Sequence, residues 1–344
     1  MNNIFENKNV IVTGGTGSIG SEIVSQVLSY NPKTLRVYSR DESKQFFLSQ
    51  KYREFNNVRF LIGDVRDKNR LEYAFEDIDI VFHAAALKHV PACEYNPFEA
   101  VNTNVVGTQN VIEAALKNNV EKVVAISTDK VVNPTNTMGA TKLLGERLIS
   151  SANRYKGNKK TIFSCVRFGN VMGSRGSVIP LFVNQIMSAK PITITEPEMT
   201  RFFMSIPQAT NLVLRAAELA HGGETFILKM PVMKIEDLAY SVMDIVTKKL
   251  SINRTSIEYI GKRAGEKLFE ELMSEDEARN AYESKEMFVI NPKCENSKEL
   301  TYSNMNFLQT NRTKYSSKDE VMYNKNEIND LVSPVIDSII KSGF

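Results

Sequence analysis

The sequence predicts an α/β protein built on a doubly wound parallel sheet, with a smaller α/β region covering it from the C-terminal side. Three observations carry that prediction. Short β-branched apolar runs recur at residues 8–13, 35–39, 58–62, 78–82, 122–126 and 161–166, as strands buried on both faces require. Segments with helical apolar spacing separate them, the alternation that builds βαβ units. The first run also passes directly into Gly14-Gly-Thr-Gly17-Ser-Ile-Gly20, ahead of a helical stretch from residue 21 to 28.

Glycines between a strand and a helix let the backbone approach a pyrophosphate, which then meets the positive end of the helix dipole. Gly14, Thr16, Gly17, Ser18, Ile19 and Gly20 are therefore candidate contacts for a dinucleotide. The second strand ends in Ser39-Arg40-Asp41. An acid there selects a free ribose 2′-hydroxyl, whereas Ser39 and Arg40 suit a 2′-phosphate. Asp41 can instead cap the helix that follows. The expected cofactor is NADP rather than NAD. Past the third strand lies Gly63-Asp64-Val65-Arg66-Asp67. Asp64, with Val65 beside it, is placed to accept from the adenine amino group, and Asp67 to cap the next helix. The fourth strand runs into His83-Ala84-Ala85-Ala86-Leu87-Lys88. The small alanines let a cofactor lie against the backbone, His83 reads as a half-buried strand-end residue, and Lys88 is a candidate substrate contact. Asn102, Asn104 and Gly107 fall in the long helix leading to the fifth strand, where a buried Asn ties down backbone or water.

The fifth strand ends at Ser127-Thr128-Asp129-Lys130, at the carboxyl edge where open α/β sheets bind ligands. Asp129 beside Lys130 suits acid–base chemistry, and equally an ordinary surface pair. Pro134 prevents a run-on helix. Helical spacing resumes from residue 141, with Lys142 one turn after Met138.

Composition narrows the function classes. The chain has 344 residues, a formal net charge of +3 and 24% charged residues. That balance argues against a nucleic-acid or anionic-membrane partner. Cys93, Cys165 and Cys294 show no paired or metal-ligand spacing, which suits a reducing compartment. The first residues lack the segments of a signal peptide, and no apolar run approaches the roughly 20 residues of a membrane helix. A cytoplasmic location is expected. The division expected is a dinucleotide-binding domain over 1–168, with elements returning to it from about 205–230, a substrate region over 169–290, and an extension over 291–344. That extension is rich in Asn, Lys and Ser and has helix-like spacing from 328 to 340.

Taken together, Thr13–Gly20, Gly63–Asp67, His83–Lys88 and Ser127–Lys130 resemble the extended short-chain dehydrogenase/reductases, with their Rossmann-type sheet. Arg167-Phe-Gly-Asn-Val171, Ser174-Arg-Gly-Ser-Val-Ile-Pro180, Met199-Thr-Arg-Phe202 and Gly265-Glu-Lys267 extend the likeness to the inverting UDP-N-acetylglucosamine 4,6-dehydratases. The superfamily's usual Tyr-x-x-x-Lys is here Met138-x-x-x-Lys142, as in the capsule-precursor subgroup of these dehydratases. A thioether transfers no proton. The resemblance implies an NADP-dependent lyase and 5-epimerase acting on UDP-N-acetylglucosamine for surface-polysaccharide synthesis, assembled as a homo-oligomer such as a hexamer. It implies that Lys130 removes the carbon 5 proton and that protonated Asp129 donates to the departing 6-hydroxyl. Thr128 then bonds the 4-oxygen, Lys142 holds the nicotinamide ribose, and Lys130 or a water takes the 4-hydroxyl proton. By the same resemblance, Asn170 and the backbone near Val178 and Ile179 are placed near the sugar nucleotide. Arg201 and Arg263 carry forks that match diphosphate oxygens, and Glu266 can accept from a uridine ribose hydroxyl; each is also readable as an ordinary polar contact, as Arg175 is. The alternatives are a UDP-sugar epimerase acting at carbon 4 or at carbons 3 and 5, and a non-catalytic cofactor-binding regulator.

Overall fold

The computed structural model describes residues 3–263, 265–291 and 306–342. Cys294 and part of the 291–344 extension lie outside the described residues. The first half alternates as its apolar runs require: β1 (Asn9–Thr13), α1 (Ser18–Leu28), β2 (Thr34–Ser39), α2 (Glu42–Lys51), β3 (Val58–Ile62), α3 (Lys68–Ala74) and β4 (Ile80–His83). Helices α4 (Val90–Tyr95), α5 (Pro97–Val101) and α6 (Gly107–Lys117) lead to β5 (Lys122–Ile126), then α7 (Thr137–Tyr155) and β6 (Ile162–Arg167). The two acids read as helix caps act as such. Asp41 accepts from the Lys44 amide, and Asp67 from the Arg70 amide.

Beyond β6 come β7 (Asn170–Met172), α8 (Val178–Met187), β8 (Ile192–Ile194), β9 (Thr200–Ser205), α9 (Ile206–Leu219) and β10 (Thr225–Leu228). They are followed by β11 (Val232–Lys234), α10 (Ile235–Leu250), β12 (Ile257–Tyr259), β13 (Glu271–Met273) and α11 (Glu275–Ala278). The chain closes with β14 (Ala281–Glu283), β15 (Met287–Ile290), β16 (Leu308–Gln309), β17 (Tyr315–Ser316) and α12 (Lys325–Ser342).

The main sheet runs β16-β14-β15-β10-β6-β5-β4-β1-β2-β3. From β3 to β10 every pairing is parallel, and β15, β14 and β16 extend the far edge antiparallel. The strand order reverses between β1 and β4, so a crevice opens at their carboxyl ends. Apolar clusters cover both faces: Val12, Val24, Phe82 and Phe226 on one side, Ile11, Phe75, Val123 and Phe163 on the other. A third cluster joins α8, α10 and α12 through Phe182, Leu238, Val242 and Val332. Strands β7, β9 and β11 form a small sheet beside it.

Two local differences from the sequence reading have physical causes. The stretch expected as one helix before β5 is interrupted by a π-helical segment at Asn102–Val106. Within it, Asn104 donates to the Leu87 carbonyl (3.0 Å) and accepts from its amide (2.8 Å), pinning the loop after β4. His83 is fully rather than half buried, at 2% exposure. Its ring bonds the Thr13 hydroxyl at 2.8 Å and the Thr108 hydroxyl at 3.1 Å. Burial, with Lys142 nearby, pulls its pKa down to about 3, so the ring is neutral.

Candidate active site

The glycine turn lies at the switch point because a side chain would not fit there. Gly14 adopts φ +68°, and a Cβ on it would fall 2.7 Å from the Ala85 amide nitrogen. The turn therefore packs directly on Ala84–Ala85. Helix α1 begins at Ser18 with Gly17 as its cap, no side-chain cap bond and no acid in its first turn. Its leading amides and dipole are thus open to an anion. Thr16 and Ser39 bond each other through their hydroxyls at 2.8 Å, joining the turn to the end of β2. Asp41 is occupied by the Lys44 amide and ammonium. Arg40 projects with its side chain 57% exposed, 3.4 Å from Asp64. Asp64 also accepts from the Arg66 amide at 3.0 Å and guanidinium at 2.8 Å, and with Asn102 and Val106 it lines a hollow of about 430 Å³. Val65 is buried beneath it. These features fit an extended dinucleotide.

The catalytic candidates converge at the end of β5. Ser127 and Asp129 donate their amides to the carbonyls of Val166 (2.7 Å) and Phe168 (3.1 Å), which fixes the turn after the strand. Asp129 is fully buried. Its Oδ1 accepts from the Thr128 hydroxyl at 2.7 Å and from the Lys130 ammonium at 2.9 Å, while Oδ2 meets no donor among the described residues. A fully buried Asp129 and a half-buried Lys130 therefore form a specific pair, not the surface pair that the sequence also allowed. Asn136 caps α7 through the Gly139 amide. A Cβ on Gly139 would lie 2.3 Å from the Lys130 carbonyl, so glycine after Met138 lets α7 press against the Lys130 turn. Met138 is 3% exposed and packs with Cys93 and Ala100. Lys142, one turn on, donates to the Ile126 carbonyl at 2.6 Å. Burial lowers its pKa, against the pull of Cys165 and Glu146.

A cleft of about 680 Å³ opens beside this centre, lined among others by Lys130, Asn170, Arg201, Arg263, Glu266 and Glu270. Asn170, Arg201, Arg263 and Glu266 are thus brought together as expected of a substrate site. Val178 and Ile179 are not among its lining residues; Ile179 is buried in the core beneath α8. Lys88 points to the strap around Arg175, whose carbonyl accepts its ammonium at 2.8 Å. Arg175 in turn reaches the glycine turn through Thr16 and Ser18. Arg201 is largely committed to the protein, donating to the carbonyls of Thr200 (2.8 Å), Lys267 (2.7 Å) and Leu268 (3.2 Å). Its ability to grip a diphosphate is correspondingly reduced, whereas Arg263 is exposed.

Sequence reasoning missed two acids. Glu270 is 4% exposed and stands 3.8 Å from the Lys130 ammonium and 3.7 Å from the Arg201 guanidinium. Its only signal was a pair of glutamates, Glu270-Glu271, after the apolar Leu268-Phe269. Glu146 accepts from the Ser127 hydroxyl at 2.7 Å and pairs with Arg167, which also holds Glu277. That buried cluster ties the Ser127–Lys130 turn to β6 and α11.

A dinucleotide cradle at the switch point, a Thr-Asp-Lys turn on the neighbouring strand and a lysine on the next helix together define an extended short-chain dehydrogenase/reductase. Comparison with known proteins narrows the class. The chain belongs to the polysaccharide biosynthesis protein family, whose profile matches residues 10–292. It is 47% identical over 291 residues to a UDP-N-acetylglucosamine 4,6-dehydratase (inverting) of Campylobacter jejuni, covering 84% of each chain. It is 46% identical over 284 residues to a UDP-glucose 4-epimerase of Rickettsia bellii, covering 81% of each. An uncharacterized membrane protein of Methanocaldococcus jannaschii shares 52% identity over 337 residues, 97% of this chain and 98% of that one. No helix among the described residues is long and apolar enough to cross a membrane. The X-ray structure of Pen from Bacillus thuringiensis superposes with a TM-score of 0.89 at 49% identity, covering 95% of this chain and 98% of that one.

Proposed function

We propose that the chain is an NADP-dependent UDP-N-acetylglucosamine 4,6-dehydratase that inverts carbon 5 of the hexose. The observation that carries this reading is the Thr128–Asp129–Lys130 relay, centred on a fully buried acid, on the wall of a nucleotide-sugar-sized cleft, with Met138 where a phenol would stand. NADP held by the glycine turn, Ser39 and Arg40 would supply the hydride chemistry between carbon 4 and carbon 6.

The residues of the chain do the rest. Thr128 already donates to Asp129, so its lone pairs are left to accept from the 4-hydroxyl, and the proton passes through it to Asp129. Asp129 delivers that proton to the 6-hydroxyl as it departs as water. Lys130 removes the carbon 5 proton, acidified by the 4-ketone, and reprotonation from the opposite face inverts the centre. Lys142 keeps two ammonium hydrogens for the ribose and adds positive charge beside the developing oxyanion. Arg263 and Glu266, on the rim of the cleft, take the diphosphate and the uridine ribose.

Arg40 supports NADP over NAD, because Asp41 is diverted to Lys44 and the guanidinium remains exposed. The free, buried thiols of Cys93 and Cys165 accord with a cytoplasmic enzyme. A carbon 4 epimerase is the second reading, favoured by the Rickettsia relative. It would use the same Thr128–Asp129 route for the 4-hydroxyl proton but leave Lys130 with no carbon 5 proton to remove. Mass spectrometry of the product from UDP-N-acetylglucosamine separates them. Loss of one water is expected; an unchanged mass would overturn the dehydratase in favour of the epimerase.

A further inference from the structure

A lysine that must act as a base sits here between two carboxylates that favour its charged form. Burial pulls the Lys130 pKa down, but Asp129 and Glu270 outweigh it, and the net direction is upward. An ammonium cannot accept a proton, so its own must first go elsewhere. Asp129 is engaged on the oxygen side of the reaction, through Thr128. Glu270 is the other acid within reach.

Glu270 has the geometry of a partner rather than a bystander. Its backbone is clamped by Ser317, whose hydroxyl accepts from the Glu270 amide at 3.0 Å and whose amide donates to the Glu270 carbonyl at 2.9 Å. Its Oε1 lies 3.8 Å from Lys130 Nζ, and its buried Oε2 meets no donor among the described residues. The side chain lines the same cleft as Lys130. Structural acids in this chain are saturated by comparison: Glu146 and Glu277 each use both oxygens.

We propose that Glu270, acting through Lys130, accepts the ammonium proton of Lys130 and so frees its amine to take the proton from carbon 5. This rests on the dehydratase reading above. The step balances. One N–H bond of Lys130 breaks and an O–H bond forms on Glu270. The amine pair then forms a new N–H bond with the carbon 5 hydrogen, and the C–H pair moves into the enolate on the 4-oxygen. Glu270 afterwards loses its proton to solvent through the cleft, as carbon 5 takes one from solvent on the opposite face. Both residues end in their starting states.

The charged groups facing Glu270 are Lys130, Asp129, Arg201 and Lys267. Burial raises its carboxyl above the ordinary range and Asp129 adds to the rise, while Lys130, Arg201 and Lys267 oppose it. A carboxyl biased toward protonation beside an ammonium is suited to this exchange.

The test compares the full-length enzyme with Glu270→Gln and Glu270→Asp, with UDP-N-acetylglucosamine as substrate, following nicotinamide absorbance in single turnovers and water loss by mass. The Gln variant should lose roughly 100-fold or more in kcat with KM for the sugar nucleotide nearly unchanged. Reduced nicotinamide should accumulate in its first turnover, because oxidation at carbon 4 precedes the Lys130 step. The Asp variant should recover at least about tenfold of the loss, since it restores the acid. A Gln variant within about threefold of the parent kcat would overturn the proposal. So would a variant with raised KM and no accumulated reduced nicotinamide, because Glu270 would then only support Arg201 and the cleft. Unmodified enzyme that releases no water would sink the dehydratase reading itself. Unmodified enzyme that dehydrates beside an unimpaired Gln variant would remove Glu270 alone.

Discussion

Replacing Arg167 with methionine tests how firmly the Ser127–Lys130 turn is anchored. Arg167 is 1% exposed, and its guanidinium is the hub of a buried cluster. It donates to Glu146 at 3.0 Å, to Glu277 at 2.9 and 2.7 Å, and to the Leu272 carbonyl at 3.0 Å. Methionine fills similar apolar volume but leaves two carboxylates and a carbonyl without their cation. Removing one partner of a buried ion pair costs about 3–5 kcal/mol, because the remaining charge stays uncompensated. The upper end is expected for Arg167→Met, since two acids are stranded. A second change, Glu146→Met, should return part of the loss, leaving Glu277 as the helix-capping acid it also is. The double-mutant coupling should be about 1–3 kcal/mol. The chain contains no tryptophan, so urea unfolding is best followed by far-ultraviolet circular dichroism. The deficit has a pH signature. In the parent, burial raises the Glu277 pKa but Arg167 overrides it and holds it low. Without Arg167 burial is left to raise the folded-state pKa of Glu277 above its unfolded value, so that part of the deficit is fully expressed at neutral pH and shrinks as pH falls through the raised pKa. A loss below about 1 kcal/mol, or one independent of pH, would refute the anchoring argument.

Arg40→Ala should erase a preference for NADP over NAD of roughly 10- to 100-fold, the worth of one charge-assisted contact to a phosphate; equal affinities by calorimetry in the unmodified protein would reject it. His83→Gln should flatten the acid side of the stability profile. The native ring, with its pKa pulled down to about 3, refuses a proton that the unfolded chain binds below 6.5, so the parent loses stability as pH falls across that window. The same slope in parent and variant would show that His83 does not carry it. Met138→Ala should cost about 2–5 kcal/mol of stability through a cavity, yet leave turnover within roughly tenfold, since no proton is transferred there. A loss of about 100-fold or more in kcat at unchanged KM would return a chemical role to position 138.

What the sequence made legible was what a local pattern encodes. Strands β3 and β5 fall at the residues their apolar spacing picks out, and Asp41 and Asp67 cap the helices they precede. The glycine turn was legible because its residue type is dictated by backbone approach. The start of α7 was placed four residues late, because the cap at Asn136 and its bond to Gly139 are hidden behind Pro134. Arg201 was readable both as a diphosphate ligand and as an ordinary polar contact, since its type fits either; only the fold reveals the three carbonyls that hold it. Glu270 stayed invisible for the converse reason. It meets Lys130 across 140 positions of sequence, through a loop ordered by Ser317, and nothing in its own neighbourhood announces a partner.

The central claim is an internal hydride cycle with dehydration, and isotopic substrate tests it most directly. With UDP-N-acetylglucosamine deuterated at carbon 4, the account predicts a product that has lost one water, carries the deuterium at carbon 6 and has taken its carbon 5 hydrogen from solvent. Deuterium still at carbon 4 with the 6-hydroxyl intact, or deuterium lost to solvent, would contradict it.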